Sequence, residues 1–419
     1  MRTADSPALP PRQAAFLVAF MWGAYALNYC DRQAVFAMFP SLRADLGMSD
    51  RQLGLTGAMF LWVYAFGCPI AGQLADRFSK RLLVVLSLAL WSLVTVATGL
   101  SDNAFMLLGL RAAMGVSESL FMPTAIALTA NAHPPALRSR SVSLLTTAQI
   151  AGTVGGSWFG GWMADRGQWR WAFFALGAVG LLYAVPYFWF LRSVSENIST
   201  STRREAASPS AWVLLRVKTF CLLCAIFPVF VFGLWLLYGW LPAFLHDKFS
   251  LTQAEAAFNA TVYVQATTAI GLLGGGSLAD VFYKHTKASR LWLMCASLVL
   301  CAPCLHALGN SNSLVDTRLA AAGFGFFSGL LMGNIFPAAF DVVPEQTRAS
   351  AVGFLNFCGA IMSGFATLFG GALKQTVGID KLLSFTALAY TAGALVLVLG
   401  IQKLFWKDFT QNNAHSITS

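Results

Sequence analysis

The sequence predicts an all-α integral membrane fold with twelve transmembrane helices in two pseudo-symmetric six-helix bundles. Hydrophobic residues make up 57% of the chain and charged residues only 11%, whereas charged residues make up about 25% of soluble proteins. The apolar residues form blocks of about 20 residues, the length at which a helix crosses a bilayer. A polar segment follows the sixth block, and a motif from the first half recurs in the second. Together these observations predict a polytopic membrane protein built from a duplicated unit.

The predicted spans follow one another with short polar connections. They are 14–39, 52–75, 82–101, 104–129, 141–164, 171–191, 219–245, 255–279, 291–309, 317–341, 349–373 and 382–405. Lys and Arg residues are concentrated in alternate connections, which places both termini in the cytoplasm. We therefore expect a multi-pass protein of the cell membrane, and the short connections favour a bacterial inner membrane.

The polar segment between the halves sets the predicted domain boundaries. Residues 193–209 are rich in Ser, Thr and charged side chains, a composition typical of a flexible linker. The predicted domains are an N-terminal six-helix bundle at 1–191, a cytoplasmic linker at 192–218, a C-terminal six-helix bundle at 219–405 and a cytoplasmic tail at 406–419.

The repeated motif lies after the second span of each half. The sequence GQLADRFSKR at 72–81 recurs as GSLADVFYKH at 276–285. Its first acid can accept hydrogen bonds from the N-terminus of a neighbouring helix, and its basic residues hold the span end on the cytoplasmic side. We predict a conformational latch formed by Gly72, Asp76, Arg77, Lys80, Arg81 and Asp280. A plain topology anchor is the alternative.

The motif and the layout of six plus six spans resemble the major facilitator superfamily over essentially the whole chain. Within it, the sequence NYCDR at 28–32 is similar to the span-one signature of the anion:cation symporter family. Arg111, Gly115, Glu118 and Pro123 resemble that family's span-four pattern. The resemblance implies a carrier of sugar acids or other organic anions.

Four ionisable residues, Asp31, Arg32, Arg111 and Glu118, lie inside apolar spans. A charge at this depth costs about 2.5–17 kcal/mol, depending on the reference state, so it needs a partner, water or a function. We predict that Asp31, Glu118 and Arg111 form the proton-coupling group, with Asp31 paired to Arg111. Arg32 is predicted to bind a substrate carboxylate, and the family resemblance implies the same division. The alternatives are static ion pairs between helices and, for Arg111, a side chain that reaches the membrane surface.

Six uncharged polar residues within spans complete the predicted substrate site. They are Tyr29, Tyr64 and Gln149 in the first half and Gln265, Asn334 and Asn356 in the second. Tyr64 and Gln149 match positions at which the sugar-acid carriers have a tyrosine and a hydroxyl-binding glutamine. For each residue the alternative is a hydrogen bond between helices. Because the second half has no acid deep in a span, we expect proton coupling in the first half and much of the substrate fit in the second.

The predicted function is alternating-access symport of protons with a small organic anion, such as a hexonate, a hexuronate or a related carboxylate. Span ten is more apolar than in the sugar-acid carriers, which favours a less hydroxylated substrate. One alternative is a spinster-like carrier of lysolipids or other amphiphiles. Another is a nutrient sensor that does not transport.

Other classes of protein have little support in the sequence. It contains no nucleophile–base set and no metal-ligand cluster, so we expect neither an enzyme nor a cofactor. The net charge of +10 comes from Lys and Arg between spans rather than from a basic face that binds nucleic acid. The C-x-x-C pairs at 221–224 and 301–304 lie in apolar blocks, which favours packing over zinc or redox chemistry. The expected partners are the anion, protons and the bilayer, and the expected state is a monomer.

Overall fold

The computed structural model describes residues 9–133, 135–193 and 211–410, and within these ranges the chain is helical and contains no β-strand. The α-helices are α1 (Pro11–Ala37), α2 (Phe39–Leu46), α3 (Asp50–Arg77), α4 (Lys80–Gly99), α5 (Ala104–Ser119), α6 (Phe121–Ala132), α7 (Pro135–Ala164), α8 (Trp169–Ser193), α9 (Lys218–Phe249), α10 (Gln253–Tyr283), α11 (Ser289–Asn310), α12 (Leu314–Phe340), α13 (Arg348–Lys374) and α14 (Ile379–Gly400). Short 3₁₀ turns occur at Ala211–Arg216 and Glu345–Thr347.

Eight helices of the described chain are long and apolar enough to cross a membrane, namely α3, α4, α8, α9, α11, α12, α13 and α14. The chain is therefore an all-α, multi-pass membrane protein. The last helix continues past Gly400 through a π turn, so that the apolar helical segment covers Ile379–Thr410. The predicted tail thus begins as helix. The middle of the predicted linker lies outside the described residues.

The fourth predicted span has a one-residue break in its helical hydrogen bonding at Leu120, whose backbone dihedrals stay helical at φ −72° and ψ −25°. α5 ends at Ser119 and α6 begins at Phe121, with Leu120 between them. Pro123 has no backbone N–H and therefore cannot donate to the carbonyl of Ser119, which weakens the helix at this point. The Ser87 hydroxyl on α4 lies 2.5 Å from the Ser117 carbonyl oxygen and donates to it. The break therefore lies next to Glu118, and a neighbouring helix bonds a carbonyl oxygen in the same turn.

Side-chain caps explain where two of the helices begin. Ser49 and Gln52 form a capping box at the start of α3, in which each side chain bonds the backbone N–H of the other residue. Asn103 accepts a hydrogen bond from the Met106 N–H at the start of α5, at 2.9 Å. Both caps satisfy backbone groups that a helix end would otherwise leave unpaired.

The described residues divide into two compact units. The first unit contains the helices from α1 to α8 together with the hairpin Leu245–Phe258. The second unit contains the described residues from 211 to Phe244 and from Asn259 onwards.

Glycines on one face of α7 set its distance from α1 in the first unit. Gly152, Gly156 and Gly160 face Ala26, Cys30 and Ala34, and a Cβ at any of these glycines would lie less than 3.0 Å from α1 backbone atoms. Small residues at four-residue spacing allow membrane helices to approach closely. This contact fixes the position and rotation of α1 at the residues that carry Asp31 and Arg32.

The hairpin Leu245–Phe258 is held in the first unit by Asp165, which follows α7. The two carboxylate oxygens of Asp165 accept hydrogen bonds from the backbone N–H groups of Gln253 and Ala254, at 2.7 and 2.9 Å. These N–H groups belong to the first turn of α10, where a negative charge is favoured. The Gln253 amide also exchanges hydrogen bonds with the Ser41 hydroxyl, at 3.0 and 3.2 Å.

In the second unit, glycines again allow close helix packing. A Cβ at Gly325 or Gly329 on α12 would lie less than 3.0 Å from the carbonyl oxygens of Val264 and Thr268 on α10. The Thr268 hydroxyl lies 3.1 Å from the Gly325 carbonyl oxygen, so a polar contact accompanies the close approach. The α10 and α12 backbones are therefore in direct contact over about one turn.

Candidate functional site

The four charged residues predicted from the sequence all lie inside the first unit, on α1 and α5. Arg111 is 0% exposed, Asp31 and Glu118 are 1% exposed, and Arg32 is 4% exposed. None of the four side chains reaches the protein surface, which removes the alternative that Arg111 extends to the membrane boundary.

Arg32 forms an ion pair with Glu118. The Arg32 Nη2 atom lies 2.8 Å from Glu118 Oε2 and 3.2 Å from Asn28 Oδ1, and it donates to both. Asn28 precedes Arg32 by four residues, so both side chains project from the same face of α1. The pair therefore joins α1 to the end of α5, immediately before the break at Leu120.

Three aromatic rings surround the Arg32 guanidinium. Its Cζ atom lies 4.6 Å from the ring centroid of Tyr29, 4.7 Å from that of Phe60 and 5.2 Å from that of Tyr64. Guanidinium groups are attracted to aromatic faces at these distances. The rings hold the guanidinium in place, and the two tyrosines add hydroxyl groups beside it.

Asp31 points away from Arg32, towards α4. The Thr95 hydroxyl lies 3.1 Å from Asp31 Oδ2 and 2.9 Å from the Trp91 carbonyl oxygen. Asp31 Oδ1 has no hydrogen-bond partner among the described residues. Asp31 is therefore a buried carboxyl whose only described hydrogen-bond partner is a hydroxyl.

Arg111 is held by backbone, sulfur and an aromatic ring rather than by an acid. Its Nε atom donates to the Thr56 carbonyl at 3.3 Å, Nη1 lies 3.1 Å from Met114 Sδ, and Cζ lies 5.0 Å from the Phe60 ring centroid. The Phe60 ring therefore contacts both guanidiniums, since that of Arg32 lies 4.7 Å from its centroid. Arg111 Nη2 has no hydrogen-bond partner among the described residues.

The predicted pairing of the four charges is wrong. No ion pair joins Asp31 to Arg111 in the described chain, and Arg32, predicted to be available for substrate, is paired with Glu118. Adjacent residues on a helix project about 100° apart, so Asp31 and Arg32 had to face different neighbours. The rotation of α1 turns Arg32 towards α5 and Asp31 towards α4, so that Arg32, rather than Asp31, makes the ion pair with a residue of the fourth predicted span.

The charge cluster leaves several polar atoms without partners. Among the described residues, no hydrogen bond is made by Asn28 Nδ2, Asp31 Oδ1, Arg32 Nε, Gln33 Oε1 and Nε2, Arg111 Nη2 or Glu118 Oε1. Buried polar atoms are normally satisfied, and such a concentration of exceptions in one place indicates a functional site. The unpaired donors and acceptors of the cluster can bond a proton, a water molecule or an anionic group.

Two members of this cluster, and the buried residue Gln33 that follows Arg32 on α1, were not predicted from the sequence. Asn28 and Thr95 bond directly to the charged residues, and Gln33 is 1% exposed with no described partner for its amide. Asn28 and Gln33 had a signal, because they flank the Asp31–Arg32 pair on an apolar span. Thr95 had none, since a threonine in an apolar helix usually bonds its own backbone.

The remaining predicted residues of the first unit lie near the cluster. Tyr29 and Tyr64 are the ring partners of Arg32, and Tyr25 links Tyr29 to Gln149. The Tyr25 and Tyr29 ring centroids lie 5.1 Å apart, and the Tyr25 hydroxyl lies 3.4 Å from Gln149 Oε1. One connected group of side chains therefore runs from Gln149 on α7 to Glu118 on α5.

The predicted residues of the second unit occupy three different environments. The Asn334 amide donates to the Gly275 carbonyl at 3.1 Å and to the Leu330 carbonyl at 2.8 Å, so it joins α12 to α10. Gln265 is buried and its Nε2 has no described partner. Asn356 is exposed. No hydrogen bond connects these three residues in the described structure.

Of the six predicted latch residues, the structure describes the side chains of Lys80, Arg81 and Asp280. The side chains of Gly72, Asp76 and Arg77 lie outside the described set. Lys80 is buried, and Arg81 Nη1 donates to the Leu191 carbonyl at 3.2 Å, which joins α4 to α8.

The second copy of the motif belongs to an ion-pair cluster. Asp280 Oδ1 lies 3.3 Å from Arg290 Nη2, and Arg290 Nη1 lies 2.6 Å from Asp341 Oδ1. Arg290 and Asp341 were not predicted as latch residues. Their signal was their position, because each lies at a span end on the same predicted side of the membrane as Asp280.

The described residues contain no group of three or more His, Cys, Asp or Glu residues that could hold a metal ion. All eight cysteines are free thiols.

Comparisons with known proteins give the chain a family. Residues 21–367 match the model described as Major Facilitator Superfamily. The hexuronate transporter of Bacillus subtilis (strain 168) is 27% identical over 395 residues, which covers 91% of this chain and 92% of that protein. The D-galactonate transporter of Escherichia coli O6:H1 is 22% identical over 420 residues, covering 94% and 96% of the two chains.

A solved structure shows the same fold. It is a bacterial homolog of the human lysosomal transporter Spinster, in an inward-facing and occupied conformation, with a TM-score of 0.81 at 21% identity. The similarity covers 96% of this chain and 99% of the solved chain.

Proposed function

Because the chain belongs to the major facilitator superfamily, we propose that it couples inward movement of a sugar acid to protons. The family, together with the relatives named for hexuronate and galactonate, supports a transporter of organic anions rather than an enzyme. The proposed substrates are hexonates, hexuronates and related small carboxylates. The proposed mechanism is alternating access, with both termini in the cytoplasm, in a monomer of a bacterial inner membrane. The relatives that transport hexuronate and galactonate support the substrate class.

The buried ion pair between Arg32 and Glu118 is the observation that carries the coupling proposal. A guanidinium binds carboxylates through paired hydrogen bonds, so the substrate carboxylate and Glu118 compete for the same donor. Protonation of Glu118 neutralises the internal competitor and releases Arg32 for substrate. The proton and the anion therefore enter the site together, and loss of the proton on the other side restores the pair and expels the anion.

Asp31 and Arg111 complete the proposed site as a second acid and a second base. The four charges sum to zero when both acids are ionised, so one proton and one substrate anion leave that balance unchanged. Asp31 has no cation within ion-pair distance among the described residues. We assign it a second proton-binding role, in which the Thr95 hydroxyl holds the carboxyl in place. Arg111 supplies the second positive charge that balances the two acids.

The aromatic rings around Arg32 suit a sugar acid. The apolar C–H faces of a pyranose pack on aromatic rings, while the hydroxyls of Tyr29 and Tyr64 can bond the sugar hydroxyls. Gln149 extends the same group of side chains and can bond a further hydroxyl. In this proposal Asn334 has an interhelical role, and Gln265 and Asn356 supply further substrate contacts.

The experiment that tests the proposal is uptake driven by a pH gradient in proteoliposomes, with labelled hexonates, hexuronates and short carboxylates. The natural chain should accumulate one of them, and an uncoupler should abolish accumulation. Glu118→Gln should still exchange internal for external substrate, because Arg32 remains, but it should not accumulate substrate. Asp102→Asn, which changes an exposed acid between α4 and α5, is the control and should accumulate normally. Accumulation by Glu118→Gln at the natural level would overturn the coupling proposal.

A spinster-like carrier of lysolipids is the second candidate. The apolar composition of the stretch 329–337 on α12 favours it. Uptake of a labelled lysophospholipid, with no uptake of any sugar acid in the same vesicles, would select this candidate.

A further inference from the structure

A cavity of about 220 Å³ lies at the end of the first unit where α4 begins and α8 ends. Arg81 and Arg192 line it on opposite helices, together with apolar residues that include Leu82 and Phe188. No acidic residue is among the described residues that line it. No residue that lines the cavity belongs to the charge cluster on α1 and α5, and the proposed transport mechanism does not use the cavity.

The two arginines are positioned by different contacts. Arg81 Nη1 donates to the Leu191 carbonyl at 3.2 Å, so one end of its guanidinium is fixed across the helix interface. The Arg192 Cζ atom lies 5.5 Å from the ring centroids of both Phe188 and Trp189. Two guanidiniums that face one cavity form a site for an anion with several oxygen acceptors, and a phosphate group is such an anion.

Apolar side chains continue from the cavity along the same two helices. On α4, Leu82 is 54% exposed and Leu86 is 44% exposed, and on α8, Val185 is 55% exposed and Trp189 is 63% exposed. Within a membrane span this apolar surface faces hydrocarbon, and a Trp near a span end is typical of the interface with the headgroups. A ligand that fits this cavity therefore has an anionic group at one end, next to the arginines, and an apolar chain that packs on the exposed side chains of α4 and α8.

We propose that this cavity binds an anionic phospholipid, with the phosphate between Arg81 and Arg192 and an acyl chain along Leu82, Leu86 and Val185. A free phosphate would satisfy the arginines but leave the apolar surface without a partner. A zwitterionic lipid would bring its own cation beside two arginines. The positively charged span ends also place the cavity on the predicted cytoplasmic side, where anionic lipids attract basic residues.

The proposal has a structural consequence for the predicted latch. Arg81 belongs to that latch and already joins α4 to α8 through the Leu191 carbonyl. A lipid phosphate bound by both arginines adds a second bridge between these helices at the same end of the unit.

Native mass spectrometry of the purified full-length chain tests the proposal. Phosphatidylglycerol is titrated into the detergent-solubilised protein, and the dissociation constant of the first lipid adduct is compared between variants. One arginine near a membrane surface contributes about 1 kcal/mol to anionic lipid binding, so Arg192→Gln should weaken that adduct about fivefold. Arg166→Gln is the matched control. Its guanidinium also stacks on a tryptophan, Trp162, at 3.9 Å, but it lies outside the cavity.

Each outcome decides the proposal. Selective weakening in Arg192→Gln, with phosphatidylcholine bound more weakly by the natural chain, supports it. Equal effects of Arg192→Gln and Arg166→Gln would overturn it, because they would show general attraction to a basic surface. Displacement of the lipid by millimolar inorganic phosphate would overturn it too, because the site would then recognise a free oxyanion. Elution of each variant as a single species in size-exclusion chromatography shows that it is folded.

Discussion

At the scale of single residues, Arg32 is the centre of the site. It bonds Glu118 and Asn28, and it is enclosed by the rings of Tyr29, Phe60 and Tyr64. The geometry requires both the charge and the planar shape of the guanidinium, because the same group stacks on rings and donates to a carboxylate. A lysine would keep the charge and lose the shape.

Arg32→Lys should therefore fold and still transport poorly. We expect a loss of roughly tenfold in apparent substrate affinity, equivalent to about 1.4 kcal/mol, because an ammonium cannot form the paired hydrogen bonds. The half-saturating substrate concentration for uptake in proteoliposomes measures this loss. Arg170→Lys, which changes a half-buried arginine at the start of α8, away from the charge cluster, serves as control. An unchanged affinity in Arg32→Lys would show that only the charge matters.

Asn28 offers a second test at this scale. Its Oδ1 atom accepts from the Arg32 Nη2 atom that also bonds Glu118, so it orients the guanidinium without adding charge. Asn28→Ala should lower substrate affinity by about threefold to tenfold, since a hydrogen bond to a charged group contributes about 1.5–3 kcal/mol and part of it is retained by water. Uptake kinetics at fixed pH measure the change. Retention of natural kinetics would remove Asn28 from the site.

At the scale of helices, the contact between α1 and α7 positions the site. Asp31 and Arg32 are consecutive residues and directly follow Cys30. The Cys30 backbone faces Gly156 on α7. Helical geometry alone requires the two charges to diverge. The sequence did not reveal which charge faces α4 and which faces α5, because that depends on the rotation of α1 set by its packing against α7.

Gly156→Ala should destabilise the protein, and the neighbouring Gly155→Ala should not. A Cβ at Gly156 would lie less than 3.0 Å from Cys30 backbone atoms, whereas nothing lies within 4 Å of a Cβ at Gly155. Overpacking of this kind costs about 1–3 kcal/mol, while an alanine in an open helical position is favoured by about 0.5–1 kcal/mol over glycine. Thermal unfolding in detergent should give a lower Tm for Gly156→Ala alone. Equal Tm values would show that α1 and α7 can separate at little cost.

A substitution at Asp165 tests what holds the hairpin Leu245–Phe258 in the first unit. Its carboxylate accepts from two N–H groups in the first turn of α10, and Asp165→Asn removes both the charge and one acceptor. Hydrogen–deuterium exchange should become faster in the peptide that contains Gln253 and Ala254, by about fivefold for each 1 kcal/mol lost from the cap. Exchange at an unchanged rate would show that the hairpin is held by other contacts.

At the scale of the whole molecule, the fold was more predictable than the site. Composition and block length predicted an all-α membrane protein, because hydrocarbon admits few other structures for a chain of this hydropathy. The break at Leu120 was not predicted, although Pro123 was visible, because many membrane helices tolerate a proline. Asp280 was predicted within a repeated motif, but its partner Arg290 and the neighbouring Asp341 come from other helices and only packing brings them together.

The central claim is that the substrate anion and Glu118 compete for Arg32. The most direct test is the pH dependence of substrate binding, measured by calorimetry on the purified natural chain and on Glu118→Gln. One linked proton makes affinity rise as pH falls, by at most about tenfold per pH unit, so we predict this slope for the natural chain and a clearly smaller one for Glu118→Gln. The same slope in both proteins would contradict the account, because the coupled proton would then bind elsewhere.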